Sequence, residues 1–583
     1  MTLRVSRNKI GPAAGLFSDT VLKNLGIIIL TVVAMLIFCP GFFIATLQEQ
    51  TFRPENYNQN SPECLTALFG VCGVISVIFV TVANYINFSY LYKKNSSDVF
   101  HALPLTRARL LLSRAAAGFV SVLIPVTVGY AALFALTAFY PTYVVGTLSQ
   151  IASAYLVNIL CIMMASAYSL IFIVCAGSAF DLVLSFAGFN AALLVIGLII
   201  SAVAEEHLIG YSSENIVEII KVMSPLAFCA VGASEFALCD DASDVGFSLS
   251  ANGGFILAVI IYTLVFTVIA LILYNYRKAE RGGQAYAYKF LYVICSVLAG
   301  ICGGYLLSRI FLLPSDAGDI SVIAGVSFIA GALVTTVAYG AVTDRGFKHF
   351  RKSLIYGGIS AAVYVVVLAI IMGGAFGFAK RIPDVSKVET ASISFDDVYL
   401  DIEDASKNNK VIALHKAIVE RDADDDIDDE VDTQHTYVRI EYKLKGNGSM
   451  WRNYFVDVDK VADELFALYA GDERFEDMNA SVDGYKGNIY FETYDYDEGG
   501  CVSYEISKDQ LRTLINAYKA DLRRIGKDII KADIYGEHSI GLQAYPRDEE
   551  YFTSDVDFRI NKDFSETLSV VYGFEPIPEI REE

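Results

Sequence analysis

From Ile151 to Val203 the chain carries a single formal charge, Asp181. Main-chain N–H and C=O groups in so apolar a run must bond to one another, which a membrane-spanning helix achieves within one segment. Such a helix needs about 20 residues to cross about 30 Å of hydrocarbon, so this run predicts two spans with a tight turn at Ala176-Gly177-Ser178. Counting it as two, nine segments qualify: 25–47, 66–92, 115–140, 149–176, 181–203, 255–274, 289–308, 320–342 and 354–378. The first is longer than the core of a cleavable signal, about 7–15 residues, and reads as a retained span.

Charge divides the chain at the last span. Residues 1–379 carry a net +2 and residues 380–583 a net −22. The pattern predicts a polytopic α-helical membrane protein followed by an acidic, water-soluble α+β domain. It excludes a simple cytosolic enzyme and a partner held by attraction to nucleic-acid phosphate. The ten cysteines form no CxxC pair, and most lie in apolar runs, so they read as small buried hydrophobes. Cys229 and Cys239 share one loop and could pair only in an oxidising compartment. The six histidines are isolated, so no metal-ligand spacing appears.

Lys and Arg in the loops set the expected orientation. With the amino terminus cytoplasmic, the inner loops hold 17 basic residues and the outer loops only Arg53, Lys221 and Arg309. Nine spans then place the domain from about 380 to 583 outside the cytoplasm. The spans are almost free of ionisable groups, whereas ion-coupled carriers bury such groups at membrane depth. Asn84, Asn87, Asn158 and Asn190 read as helix–helix hydrogen-bond partners. No phosphate-binding glycine loop, nucleophile elbow or zinc helix appears. Gly446-Asn447-Gly448 reads as a hairpin turn.

The loop after the second span runs Lys93-Lys94-Asn95-Ser96-Ser97-Asp98-Val99-Phe100-His101-Ala102-Leu103-Pro104-Leu105-Thr106-Arg107. Ser96 or Ser97 can cap a short helix, and Pro104 ends it. Val99, Phe100 and Leu103 give that helix an apolar face. Thr106 can start the next helix, with Arg107, Arg109 and Arg114 in water. An ordinary interfacial connector would need no more than this.

The stretch SSDVFHALPLTRARLLLSR resembles the coupling loop of permease subunits of type-2 ABC transporters, such as some of Gram-positive type. There a Leu-Pro follows an acidic residue and a basic segment leads into the third span. Six spans and a long outer segment between the fifth and sixth, here 204–254, are similar too. In it ENIVEIIKVMSPLAF can form a re-entrant or interfacial amphipathic helix. The resemblance covers residues 1–280 and implies a separate ATPase subunit docked on the cytoplasmic loops. It assigns the coupling role to Asp98, His101, Leu103, Pro104 and Arg107. The loop Tyr276–Gly283 also resembles a stretch after the sixth span in such proteins, although a solvated helix end with a charge pair explains it equally. Three further spans (281–379) and the outer domain (380–583) depart from the minimal pattern.

In the acidic part, VETASISFDDVYLDI, HTYVRIEYKL, RNYFVDV, GNIYFETYDY, CVSYEIS, HSIGLQAY and VDFRI alternate like strands. VDKVADELFALYAG and KDQLRTLINAYKADLRRI read as helices, each after a strand pair, which suggests a repeated hairpin-plus-helix unit. The acidic run 422–432 lacks the Gly and spaced Glu of a calcium loop and reads as a solvated loop. No catalytic constellation is visible.

The expectation is therefore a permease subunit of an ATP-driven exporter, coupled through the cytoplasmic loop 93–114 to a separate nucleotide-binding subunit, and not itself an enzyme. It has no cofactor on this chain, since the partner subunit binds ATP. Its partners are that ATPase, a second permease copy or homologue, and membrane lipid, with no nucleic acid. The alternative is a membrane-anchored sensor or assembly protein whose outer domain binds a ligand or envelope component.

Overall fold

The computed structural model describes residues 12–41, 43–44, 57–139, 147–230, 253–284, 286–312, 320–395, 398–402, 408–421, 435–445, 448–484, 489–495, 500–527, 529, 540–546 and 556–574. It divides into two compact units. One comprises Met1–Glu206 and Ser213–Gly373, the other His207–Ser212 and Gly374–Glu583.

The first unit is helical: α1 (Pro12–Lys23), α2 (Leu25–Phe38), α3 (Tyr57–Phe88), α4 (Lys94–His101), α5 (Arg107–Phe139), α6 (Thr147–Cys175), α7 (Ala179–His207), α8 (Ile216–Met223), α9 (Gly253–Tyr276), α10 (Lys289–Leu312), α11 (Ile320–Thr343) and α12 (Phe350–Met372). Among the described residues, eight helices are long and apolar enough to cross a membrane. A ninth candidate is the pair α1 and α2, bent by 56°. The bend falls at Asn24, whose amide donates to Ser121 Oγ of α5 at 3.0 Å. The long apolar run breaks at the expected place, with α6 ending at Cys175 and α7 starting at Ala179. Gly177 is needed there, because a Cβ on it would lie 1.9 Å from the Gln284 carbonyl oxygen.

Polar side chains join helices where hydrocarbon offers no other partner. Asn84 Nδ2 donates to Ser166 Oγ at 3.0 Å and Ser169 Oγ at 3.1 Å, and Asn87 Nδ2 to the Arg114 carbonyl at 3.2 Å. Asn158 Nδ2 donates to Tyr130 Oη at 3.4 Å, and Asn190 Oδ1 accepts from Tyr168 at 3.2 Å. The last three helices pack through small residues. A Cβ on Gly331 would meet the Gly303 carbonyl oxygen at 2.6 Å, and one on Gly300 would meet Ser360 Oγ at 2.3 Å.

The segment between α7 and α9 enters the bundle. α8 packs on Gly197 of α7, and a helical turn at 225–230 follows. There Cys229 clusters with Val157, Cys161 and Met164, near the middle of α6, and Val259 of α9. This end of the segment is packed inside the helical unit. Cys229 is a free thiol, and Cys239 lies outside the described residues.

The second unit contains β1 (Val388–Phe395), β2 (Val398–Ile402), α13 (Asn408–Arg421), β3 (His435–Leu444), β4 (Gly448–Asp457), α14 (Val458–Tyr469), α15 (Asp472–Gly484), β5 (Ile489–Asp495), β6 (Gly500–Ile506), α16 (Lys508–Ile525), β7 (Ile540–Pro546), β8 (Val556–Ile560) and α17 (Ser565–Val571). The strands form two antiparallel four-stranded sheets in the orders β2-β1-β3-β4 and β6-β5-β7-β8. Hairpin and helix therefore alternate four times, and each sheet is one hairpin–helix–hairpin–helix repeat. One core runs through both repeats, with Val438, Ile440 and Tyr442 from β3 and Leu511, Leu514 and Tyr518 from α16. Ser507 and Gln510 bond each other's main-chain N–H groups and start α16 as a capping box. The acidic run 422–432 lies outside the described residues.

Candidate coupling platform

At the basic end of the helical unit, the ends of α3, α6 and α9 converge on the loop from 89 to 107. Helices that finish here present carbonyls without partners, and the C-terminal ends of their dipoles favour cations. The arginines of this end supply them. Arg277 donates to the carbonyls of Ile173, Val174 (Nη1) and Leu91 (Nη2, 3.0 Å), bridging α6 to the loop. Arg107 Nη1 donates to the Asn275 carbonyl at 2.7 Å and the Arg277 carbonyl at 3.1 Å, closing α9. Arg281 reaches the Ala287 carbonyl. A hydrogen bond with a charged donor contributes about 1.5–3 kcal/mol, so these links fix the loop's position.

The arrangement corrects three local expectations. α4 begins at Lys94, with Lys93 as its N-cap and no side-chain cap, so Ser97 lies buried within it rather than at its start. Arg114 is buried rather than solvated. It donates to the Asn87 carbonyl, and its guanidinium sits 4.2 Å from the Phe100 ring and 4.7 Å from Tyr90. The apolar face of α4 is divided. Phe100 and Leu103 turn inward onto a cluster containing Phe88, Leu110, Tyr274 and Tyr286, while Val99 stays outside at 66% exposure. In the Tyr276–Gly283 loop Tyr276, Lys278 and Glu280 are exposed, as in a solvated helix end, but Arg277 is buried against carbonyls.

Of the residues assigned a coupling role, Asp98 and Pro104 are exposed and Arg107 is exposed but tied to the end of α9. Leu103 is half-buried, and His101 is the last residue of α4. Thr106 Oγ1 accepts from the Arg109 N–H at 3.3 Å, starting α5 as expected. What sequence reasoning missed is the bracing set Tyr90, Arg114, Tyr274 and Arg277. Tyr90 and Tyr274 join their hydroxyls at 2.6 Å. The signal available was an arginine one turn inside a span or immediately after one.

No family model, curated protein or solved structure matches the chain. Among the described residues, no group of three His, Cys, Asp or Glu side chains is placed to hold a metal ion.

The second unit has its own polar centre. His415 of α13 is buried between two tyrosines, with Nδ1 3.1 Å from Tyr442 Oη and Nε2 2.8 Å from Tyr454 Oη. Burial, reinforced by the Arg452 charge, holds its imidazole down at about 4 from an ordinary 6.5. Burial likewise pushes the Tyr454 phenol up to about 12. Arg452 is buried with its guanidinium 3.8 Å from the Phe378 ring centroid. Gly210, at φ +72°, lies so close to the Tyr454 ring that a Cβ would come within 2.4 Å of it. On the open face of the first sheet, Tyr437 and Phe455 face each other and Arg439 sits over Trp451.

Proposed function

We propose that this chain is the permease subunit of an ATP-driven exporter, moved by a separate ATPase that grips the loop from 93 to 114. Membrane spans almost without ionisable groups and a chain without a phosphate loop leave the energy source to another polypeptide. The observation that carries the reading is the seating of α4. Phe100 and Leu103 anchor it among the ends of α3, α6 and α9, and Asp98, Val99 and Pro104 are left outward. A short helix held this way transmits a push directly to three spans. The amino terminus is then cytoplasmic and the acidic unit extracytoplasmic, where it receives or senses cargo.

The test uses outward residues whose loss leaves the packing intact. The full-length protein is purified with its candidate ATPase, and ATP hydrolysis is measured in vesicles. Asp98→Lys with Val99→Glu is expected to abolish stimulation, by at least about tenfold given a loss of roughly 1.4 kcal/mol at the contact, with unchanged thermal stability. Full stimulation in that variant would contradict the assignment. The open sheet face with Tyr437, Phe455 and Trp451 supports the second reading, a membrane-anchored ligand sensor. On that reading the same variant changes nothing, while Tyr437→Ala weakens ligand binding.

A further inference from the structure

The turn joining α11 to α12 carries Asp344-Arg345-Gly346-Phe347-Lys348-His349 and leads into Phe350, Arg351 and Lys352. It is held in one shape from within. Arg345 sits at φ +50° and Gly346 at φ +149°, and the Gly346 N–H donates back to the Ala341 carbonyl at 2.9 Å. Asp344 and His349 brace its two sides at 2.7 Å. That pair occupies the loop's one carboxylate. Among the described residues Lys348, Arg351 and Lys352 pair with no carboxylate. The braced turn points Phe347 outward at 71% exposure, and Phe350 follows at 47%.

Orientation during insertion needs only the charges. It does not need two phenylalanines held outward by a fixed turn. Six residues between two membrane-spanning helices, folded back on themselves, reach only about 10 Å beyond the helix ends. That is the depth of the headgroups, where aromatic rings enter the acyl boundary and cations meet lipid phosphates. We propose that this turn is a binding site for anionic phospholipid: Lys348, Arg351 and Lys352 hold the phosphate-bearing headgroup, and Phe347 and Phe350 lie beside it at the boundary between headgroups and acyl chains. The site rests on the spans crossing a bilayer and is independent of the ATPase reading.

The test places the chain's single tryptophan at the tip. Full-length protein carrying Trp451→Phe and Phe347→Trp is reconstituted in nanodiscs of phosphatidylcholine in which brominated phosphatidylglycerol replaces increasing fractions of the lipid. Brominated phosphatidylglycerol is expected to quench the new tryptophan with an association constant roughly tenfold above that of brominated phosphatidylcholine, and Arg351→Gln with Lys352→Gln brings the ratio close to one. High salt does the same. As a second measurement without the tryptophan exchange, native mass spectrometry of the otherwise unaltered chain shows retained phosphatidylglycerol that the double glutamine variant loses. Equal quenching by the two lipids overturns the proposal, as does a tip that no brominated lipid quenches. Shielding of position 347 only when a soluble protein partner is added assigns the surface to that partner instead.

Discussion

Arg114, Arg277 and Arg452 are all buried, yet among the described residues none of the three forms an ion pair. Carbonyl oxygens and aromatic faces take the place of carboxylates, a role suited to the planar guanidinium with its several donors. In the acidic unit this choice has a consequence for the neighbouring His415. Its folded-state value of about 4 lies below the ordinary 6.5, so folding favours the neutral ring. Above pH 6.5 both states are neutral there and the contribution is whole. As pH falls from 6.5 towards 4 the unfolded chain takes up a proton that the folded one refuses, and stability declines. The loss is of order 3 kcal/mol if the whole interval is crossed. Urea unfolding followed by Trp451 fluorescence should show it, and His415→Gln should flatten the pH dependence between those limits.

At the scale of elements, the last three spans depend on contacts that only glycine permits. Gly331→Leu forces the α10 and α11 backbones apart, whereas Gly325 on the same helix has nothing within 4 Å of its added Cβ. Gly331→Leu is expected to lower the melting temperature in detergent by several degrees and Gly325→Leu to leave it unchanged. The apolar runs made the spans legible, because period is irrelevant when every face is apolar, and the break at Gly177 was legible for the same reason. The bend at Asn24 was not, since it depends on Ser121 nearly a hundred residues away. In the acidic unit the sequence pattern marks the strands and two of the helices, but not α13, α15 or α17. His415 sits on the buried face of α13 between Leu414 and Ile418 and interrupts the apolar stripe. The fourfold alternation of hairpin and helix was seen only in part, because β1 and β2 read as one alternating stretch. The loop's arginines were legible as charges but not as caps, since the carbonyls they meet belong to helices distant in sequence.

For the whole molecule, parity decides which side the acidic unit occupies. Among the described residues eight helices qualify as spans alone, and the bent α1 and α2 make nine if they count as one. Nine spans with a cytoplasmic amino terminus put the unit outside. Alkaline phosphatase fused after Pro383 is then expected to be active, and a reporter that works only in the cytoplasm should be silent at the same position. The reverse pattern would mean that α1 and α2 do not cross.

The acidic unit is not one continuous length of polypeptide. His207–Ser212 belongs to it, although Gly374 is where the rest begins. Gly210 lies on Tyr454, and the Tyr211 ring is 6.1 Å from that of Phe378. Excision at Gly374 alone therefore yields an incomplete fold with the Tyr454 ring laid bare. The strap at 207–212 is therefore a part of this fold that enters the sequence more than 160 residues before the rest of it.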